Sequence, residues 1–562
     1  MATGNIGAPT ASRYLTGFAI RMQQIAIRIR STLGRYASAC LFVFAVAVVG
    51  LSIVYGLKKG MDGVFATPLD TRAQQMAAAI SDSAYNLDLK YAMHSRVFDT
   101  LLKGGMSDVP DNYRPLGLRS PPYRDTAFWN ALITKAATLE GIKGTPSVAD
   151  RTLNFIFVED HGLVDFYKLS FRLFGYNIQG FFNIYFLMLG ATVCLFFAAF
   201  WTRQGILLSG NLLLVGLFVA ICCMENPEYG ISTVSNGRFL NTLVVLPVFH
   251  LAVLLLAPPR VTIVGFLAAL AQAAFVGFVI TMRGNAIWAL LFFGISAFGL
   301  IAMKVYAHWA NRPLRDFVRG AITWPMVAIV LGVVSVQVHH KANVHPAYAA
   351  MDELQAGHYF WHSLAYGLGM GEPESVLPEL DGRRGDELGT YLGNIYLKRI
   401  IGFEHPNPSI YFASNLFPEW GRPKSYERVV RSAFLDFART HPGYVLHVTF
   451  IVKPRMLVRL YFDALKRTVS RNAGYLALIA MLLVATLWVV PKSAVHSGDF
   501  RYGIWLIGGL AAAALLPSLA AYPAMISSGD AFALIVALLV AGAVASGWER
   551  LHAPAATGPA QA

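Results

Sequence analysis

Ser38-Ala39-Cys40-Leu41-Phe42-Val43-Phe44-Ala45-Val46-Ala47-Val48-Val49-Gly50-Leu51-Ser52-Ile53-Val54-Tyr55-Gly56-Leu57 is a run of twenty residues without one charged side chain. At about 1.5 Å per residue, a helix of that length covers the roughly 30 Å hydrocarbon layer of a bilayer. The run stands too deep in the chain for a removable signal peptide and lacks a small-residue cleavage site at its end, so it reads as a membrane anchor. Ahead of it lie Arg13, Arg21, Arg28, Arg30 and Arg35 and no acid. The positive-inside tendency then places the N-terminus in the cytoplasm.

Nine further runs qualify on the same grounds, near 179–201, 205–224, 239–257, 261–281, 286–306, 320–338, 473–490, 503–521 and 526–547. The expectation is therefore an all-α polytopic membrane protein of ten transmembrane helices. Composition agrees: of 562 residues 56% are apolar and only 14% charged, with a mean hydropathy of +0.50, whereas soluble chains carry about a quarter charged residues. A water-soluble enzyme and a disordered chain are both excluded on this basis. Charge sorts by side. The turns expected in the cytoplasm hold 14 basic and 3 acidic residues, and the opposite side 32 and 29. The formal net charge of +14 is thus an orientation signal, with no nucleic-acid partner implied, and both termini are expected in the cytoplasm of a multi-pass protein of the bacterial inner membrane. Cys40, Cys194, Cys222 and Cys223 all fall in apolar runs, so no disulfide or thiolate cluster is expected in the hydrophilic parts.

The organisation follows: 1–37 a cytoplasmic N-terminus, 38–57 the first span, 58–178 a first periplasmic loop, 179–338 spans two to seven, 339–472 a second periplasmic insertion, α-rich or mixed, 473–547 spans eight to ten, and 548–562 a cytoplasmic tail. Residues 14–34 set apolar side chains among arginines and read either as a basic helix on anionic headgroups or as a solvated tail. In the first loop, helices are expected over 70–103 and 125–139. A third is expected where Phe166, Leu169, Leu173 and Phe174 recur at helical spacing, lying flat on the membrane. In the second insertion a helix is expected from Tyr426 to Arg439, followed by 444–465, whose mixture of apolar residues with Lys453, Arg455 and Arg459 suits a helix lying on the membrane rather than crossing it. No Walker, glycine-rich phosphate or HExxH motif occurs, and no internal repeat.

Several residues are candidates for chemistry. Asp62 stands five residues beyond the first span, where a carboxylate could deprotonate an acceptor hydroxyl; it also reads as a solvated loop acid. Glu159 and Asp160 precede the third loop helix, where the helix dipole favours anions, and could simply cap it. Arg238 and Arg283 sit in short outer loops against the charge trend and suit a lipid phosphate, or snorkel to headgroups. His161, His358, Trp361 and His362 are the sugar- or acceptor-binding candidates, aromatic faces stacking on a ring and imidazoles bonding its hydroxyls; packing against the membrane face is the alternative. His358 and His362 have metal-compatible i, i+4 spacing, but no third ligand accompanies them, so no metal site is assigned. No cofactor is fixed, a divalent cation (Mg or Mn) being the one group the acids could hold.

An acid directly after span one (Asp62), the Asp160-His161 pair ahead of the Leu169 to Tyr176 aromatic stretch, and many spans with a large outer portion together make the chain resemble the GT-C superfamily of polytopic glycosyltransferases, which includes protein mannosyltransferases and arabinosyltransferases. It departs from that pattern at His161-Gly162-Leu163, where many members carry His-Pro-Pro, and in setting its large second insertion before three further spans. The resemblance implies a GT-C-like fold and an inverting transfer of a hexosyl or pentosyl group from a polyprenyl-phosphate-sugar lipid to a glycan, lipid or protein acceptor of the cell envelope. It puts Asp62 in the role of catalytic base, with Asp160 and, less directly, Glu159 positioning acceptor or metal.

Two other readings compete. An O-antigen-ligase or polymerase-like enzyme would centre on His358, His362, Arg383 and Arg384, and would not need the long first loop. A lipid or polysaccharide transporter would carry ionisable residues in mid-span, where only Gln272 and His250 interrupt. The glycosyltransferase reading predicts that Asp62→Asn abolishes transfer from a purified donor lipid while folding and donor binding are retained. Full turnover by that variant would remove Asp62 from the mechanism.

Overall fold

The computed structural model describes residues 36–60, 79–87, 97, 126–139, 161–223, 239–258, 260–282, 284–308, 323–343, 360–380, 382, 387–402, 423–521 and 528–552. Among them there is no strand. The helices in chain order are α1 (Ala37–Tyr55, lengthened by a π turn at Gly56–Gly60), α2 (Thr126–Thr138), α3 (His161–Phe174), α4 (Gly180–Phe200), α5 (Gln204–Cys222), α6 (Val245–Leu256, entered through a 3-10 turn at Phe239–Val244), α7 (Ile263–Met282), α8 (Trp288–His308) and α9 (Trp324–Asn343). Then come α10 (Phe360–Leu368), α11 (Glu387–Ile401), α12 (Pro423–Thr440), α13 (Pro442–His447), a π turn (Val448–Val452), α14 (Lys453–Val489), α15 (Lys492–Val495), α16 (Gly498–Ala520) and α17 (Gly529–His552).

Among the described residues nine helical stretches are long and apolar enough to cross a membrane, and α8 adds a shorter one, Trp288–Met303. Most boundaries fall within a few residues of the apolar runs. Two differ for identifiable reasons. Helix α9 continues past residue 338 to Asn343, because His339, His340 and Lys341 are polar but do not break a helix. Helix α14 runs on from the expected membrane-lying segment into the membrane-crossing one, 37 residues in all, but is kinked at Asn472 (φ −120°, ψ 24°), so the two expected segments stay distinct on either side of the kink. No proline or glycine lies between Pro454 and Gly474 to end the helix outright.

Helix α5 is the axis of the bundle. Its entire apolar window is buried, as expected of a helix apolar on every side. Helices in hydrocarbon associate through close packing of small residues rather than through hydrophobic transfer, and α5 shows this along its length. A β-carbon on Gly216 would lie 2.1 Å from the Ala533 carbonyl oxygen of α17, and one on Gly503 of α16 would lie 2.2 Å from Ser209 Oγ. The Asn211 amide donates to the Leu41 carbonyl of α1 at 3.2 Å.

Polar ties close both ends of the bundle. At one end Ser38 Oγ donates to the Trp201 carbonyl at 2.7 Å, and Arg203 donates to both oxygens of Asp499 at 2.7 and 3.0 Å. That carboxylate, hydrogen-bonded to the guanidinium, raises the Arg203 pKa further above its ordinary value. At the other end Tyr55 donates to the Cys222 carbonyl at 3.1 Å. There too the Trp288 indole donates to Asp530 Oδ2 at 2.5 Å, and Ala531 N donates to Oδ1 at 2.8 Å. Asp530 is 1% exposed and Trp288 fully buried.

This second end carries a helical module. Ala365, Leu368, Leu380, Leu388, Leu392, Val430, Ala433 and Phe437 of α10 to α12 form a separate small core. The module sits on the bundle through Lys453, which donates to the Leu519 and Ala520 carbonyls at 2.9 and 2.7 Å. Gly367 is pressed so close that a β-carbon there would lie 2.3 Å from the Ala521 oxygen and 2.5 Å from Lys453 Nζ. We refer to this as the module end.

The two charged ties differ in worth. Arg203 and Asp499 are 29% and 37% exposed, and a pair so accessible contributes at most about 1 kcal/mol. Trp288→Phe instead strands a buried carboxylate oxygen, a loss of about 1–3 kcal/mol or more. Thermal unfolding of the detergent-solubilised protein should show a clearly larger fall in Tm for Trp288→Phe than for Arg203→Ala, and equal falls would refute this ranking.

Candidate functional site

Helix α3 has a polar stripe. His161, Asp165, Lys168 and Arg172 follow one another at intervals of four, three and four residues, which at 3.6 residues per turn keeps all four on one face. The opposite face, with Leu163, Phe166, Tyr167 and Phe171, is buried in the bundle core. Leu169, Leu173 and Phe174 are exposed as the sequence leads one to expect of a membrane-lying helix, but Phe166 is fully buried, 6.1 Å from the Phe181 ring of α4.

Glycines set the position of this helix. A β-carbon on Gly162 would lie 2.2 Å from Thr281 Oγ1 and 2.7 Å from Met282 N, so the start of α3 abuts the backbone at the end of α7. A β-carbon on Gly180 would meet Ser170 Oγ at 2.6 Å, which seats α3 against the start of α4. Helices α7 and α9 are also in close contact, where a β-carbon on Gly332 would lie 2.6 Å from Ala273 Cβ and 2.7 Å from Ala274 N and one on Gly277 would lie 3.3 Å from Val333 Cα.

Beside that contact α3, α7 and α9 line an open cavity of about 800 Å³ at the module end. Its walls are of two kinds. Helix α7 supplies an apolar floor of Ala274, Phe275 and Phe278. The α3 stripe forms one polar wall, and Ser335, His339, His340 and Asn343 of α9 form the other. Asp165 is the single carboxylate among the lining residues, set beside Lys168 and Arg172. Lys168 is only 8% exposed, and Arg172 also donates to the Leu87 carbonyl at 2.9 Å, tying the first long loop to the cavity rim.

His161 and His340 bridge the two polar walls. Their rings stack with centroids 3.4 Å apart and planes at 21°. Rings laid face to face direct their in-plane nitrogen lone pairs side by side, so the pair as arranged does not converge on one metal ion. Among the described residues no group of three His, Cys, Asp or Glu side chains is placed to hold a metal.

The sequence candidates divide. His161 lines the cavity. Trp361 and His362 do not; they belong to the module, where Glu427 accepts from their backbone N–H groups at 2.9 and 3.0 Å and so caps α10. Trp361 packs on Phe434 under the Arg431 guanidinium, 5.7 Å from its ring centroid, and His362 is 6% exposed. Asp62, Glu159, Asp160, Arg238, Arg283 and His358 lie outside the described residues, as do Arg383 and Arg384. Gln272 and His250, the mid-span interruptions, are both buried, His250 against the edges of Phe196 and Phe200.

Sequence reasoning missed Asp165, Lys168 and Arg172 as a set. Their spacing from His161 was the available signal, obscured by the apolar residues of the same helix. His339 and His340 were missed because the span was expected to end before them.

No family model, curated protein or solved structure matches the chain. The cavity therefore carries the functional argument by its own chemistry.

If Gly162 sets the spacing of the polar walls, Gly162→Val displaces α3 from α7. A cysteine at Ser335 should then react with a water-soluble maleimide at a rate changed at least severalfold by Gly162→Val, against a background without the Ser335 cysteine. An unchanged rate would show that the cavity does not depend on this contact.

Proposed function

We propose that the protein is an inverting glycosyltransferase that moves a hexosyl or pentosyl group from a polyprenyl-phosphate donor to a cell-envelope acceptor, which is a glycan, lipid or protein. One observation supports this most: a cavity whose floor is apolar and whose wall carries Lys168 and Arg172, the two-sided chemistry that an isoprenoid tail joined to a phosphate requires. Charge-assisted bonds from lysine and arginine suit phosphate oxygens, and arginine can engage two at once.

In this reading the donor phosphate lies against Lys168 and Arg172 and its tail along the α7 floor. A base takes the acceptor hydroxyl proton, the acceptor oxygen attacks the anomeric carbon from the face opposite the phosphate, and the bond from that carbon to the phosphate oxygen breaks. The leaving polyprenyl phosphate carries away the electron pair, and the two cations stabilise the charge that grows on it. Asp62 is our candidate base. Glu159 and Asp160, adjacent in sequence to His161, are candidates for positioning the acceptor or a divalent cation, and the His161–His340 pair is available to hydrogen-bond sugar hydroxyls.

The accompanying topology has ten spans with α8 as the sixth, both termini cytoplasmic, and the module end on the periplasmic face of a bacterial inner membrane. The charge asymmetry of the sequence supports this orientation.

Lys168→Met should weaken binding of a short-chain polyprenyl phosphate about tenfold, in keeping with the roughly 1.5–3 kcal/mol of a bond to a charged group, and Lys168→Met/Arg172→Met should weaken it further. Native mass spectrometry of the purified protein reads this directly. Wild-type affinity in the double variant would sink the donor-site assignment.

A further inference from the structure

Helix α14 changes character at its kink. From Lys453 to Asn472 it carries six cations and one acid, and from Ala473 to Val489 none of either. The uncharged half is the membrane-crossing one. The charged half therefore begins where the hydrocarbon ends, at the module end.

The charged half has three faces. Lys453, Leu457, Tyr461, Ala464, Thr468 and Asn472 are buried against the bundle. Away from them, at 3.6 residues per turn, Val458, Phe462 and Val469 share a sector roughly 40° wide. Val458 is 69% and Phe462 66% exposed. Arg455, Arg459 and Lys466 share a second sector of roughly 40° directly beside it, and all three are exposed. Asp463, the one acid, lies 4.0 Å from Arg459, whose side chain is 87% exposed. Upstream, Leu446 and Phe450 are exposed as well.

An apolar strip and a cationic strip running side by side along a helix that continues into the membrane define an interfacial surface. The apolar side chains enter the acyl boundary, and the long cationic side chains reach from it to the headgroups. We infer that the outward face of residues 453–472 is a docking surface for anionic phospholipid headgroups. Charge decides the class. Three exposed cations in one sector attract phosphate groups of net negative lipids, whereas a zwitterionic headgroup offers each phosphate already paired with its own cation. The surface lies on a different helix from the cavity and does not depend on the donor reading.

The test uses the full-length protein in nanodiscs of mixed phosphatidylcholine and phosphatidylglycerol, with native mass spectrometry counting the lipids retained after release. Wild type should retain phosphatidylglycerol above its share of the mixture. Arg455→Gln/Arg459→Gln/Lys466→Gln should lower that enrichment about fivefold or more, the effect of losing ~1 kcal/mol of headgroup attraction from even one cation. Arg455→Lys/Arg459→Lys keeps the charge and should keep the enrichment. Arg428→Gln/Arg439→Gln, on the module helix α12, should keep it as well. The proposal is overturned if the triple glutamine variant enriches like wild type, if wild type shows no preference, or if the α12 variant loses as much as the triple variant.

Discussion

The approach of two backbones at Gly216 and Ala533 is the constraint on which the rest of the bundle depends. In hydrocarbon, one apolar helix gains little by covering another, because lipid tails cover it equally well. What a neighbouring helix offers is fit. The contact between α5 and α17 is closer than any side chain at position 216 would permit. By fixing α17 against the central axis it brings Asp530 to the Trp288 indole and leaves Ser528 where Tyr461 donates to its carbonyl at 3.4 Å. Polar ties at the module end are thus consequences of packing in the middle.

The cavity follows from the same principle applied unevenly. Helices α7 and α9 touch where Gly332 meets Ala273 and Ala274. One turn nearer the module end they are still in contact, a β-carbon on Gly277 lying 3.3 Å from Val333 Cα, and the cavity opens beside this contact, lined by Phe275, Phe278, His339 and His340. Helix α3 enters at that opening, set by Gly162 against the last turn of α7. The space that remains is polar on two sides and apolar below because three helices of different character meet there.

The bundle was largely legible in the sequence. A span announces itself by twenty uncharged residues, and α1, α4, α5 and α6 begin and end close to their apolar runs. Legibility failed where a helix outlasts its apolar stretch: α9 runs to Asn343 although hydropathy alone cuts it at 338, whereas the cut at 473 falls at the Asn472 kink of α14. The site was legible only in fragments. His161 was visible because it follows two acids, but its partner His340 lies 179 positions along the chain, and no spacing rule connects them. Trp361 and His362 drew notice as aromatic and polar neighbours, yet their described contacts are those of a small core and a helix cap.

Gly367 has an implication for how the molecule could change over time. Its backbone rests on Ala521 and on the buried ammonium of Lys453, so one position of α10 is matched to two other helices at once. Lys453 in turn answers the carbonyls that end α16, which no further residue of that helix can satisfy. A module attached in this way is not a detachable cassette. Exchanging it for a foreign segment would require glycine at one site and lysine at another, 86 positions apart, to arrive together, so the junction resists recombination although the module has a core of its own.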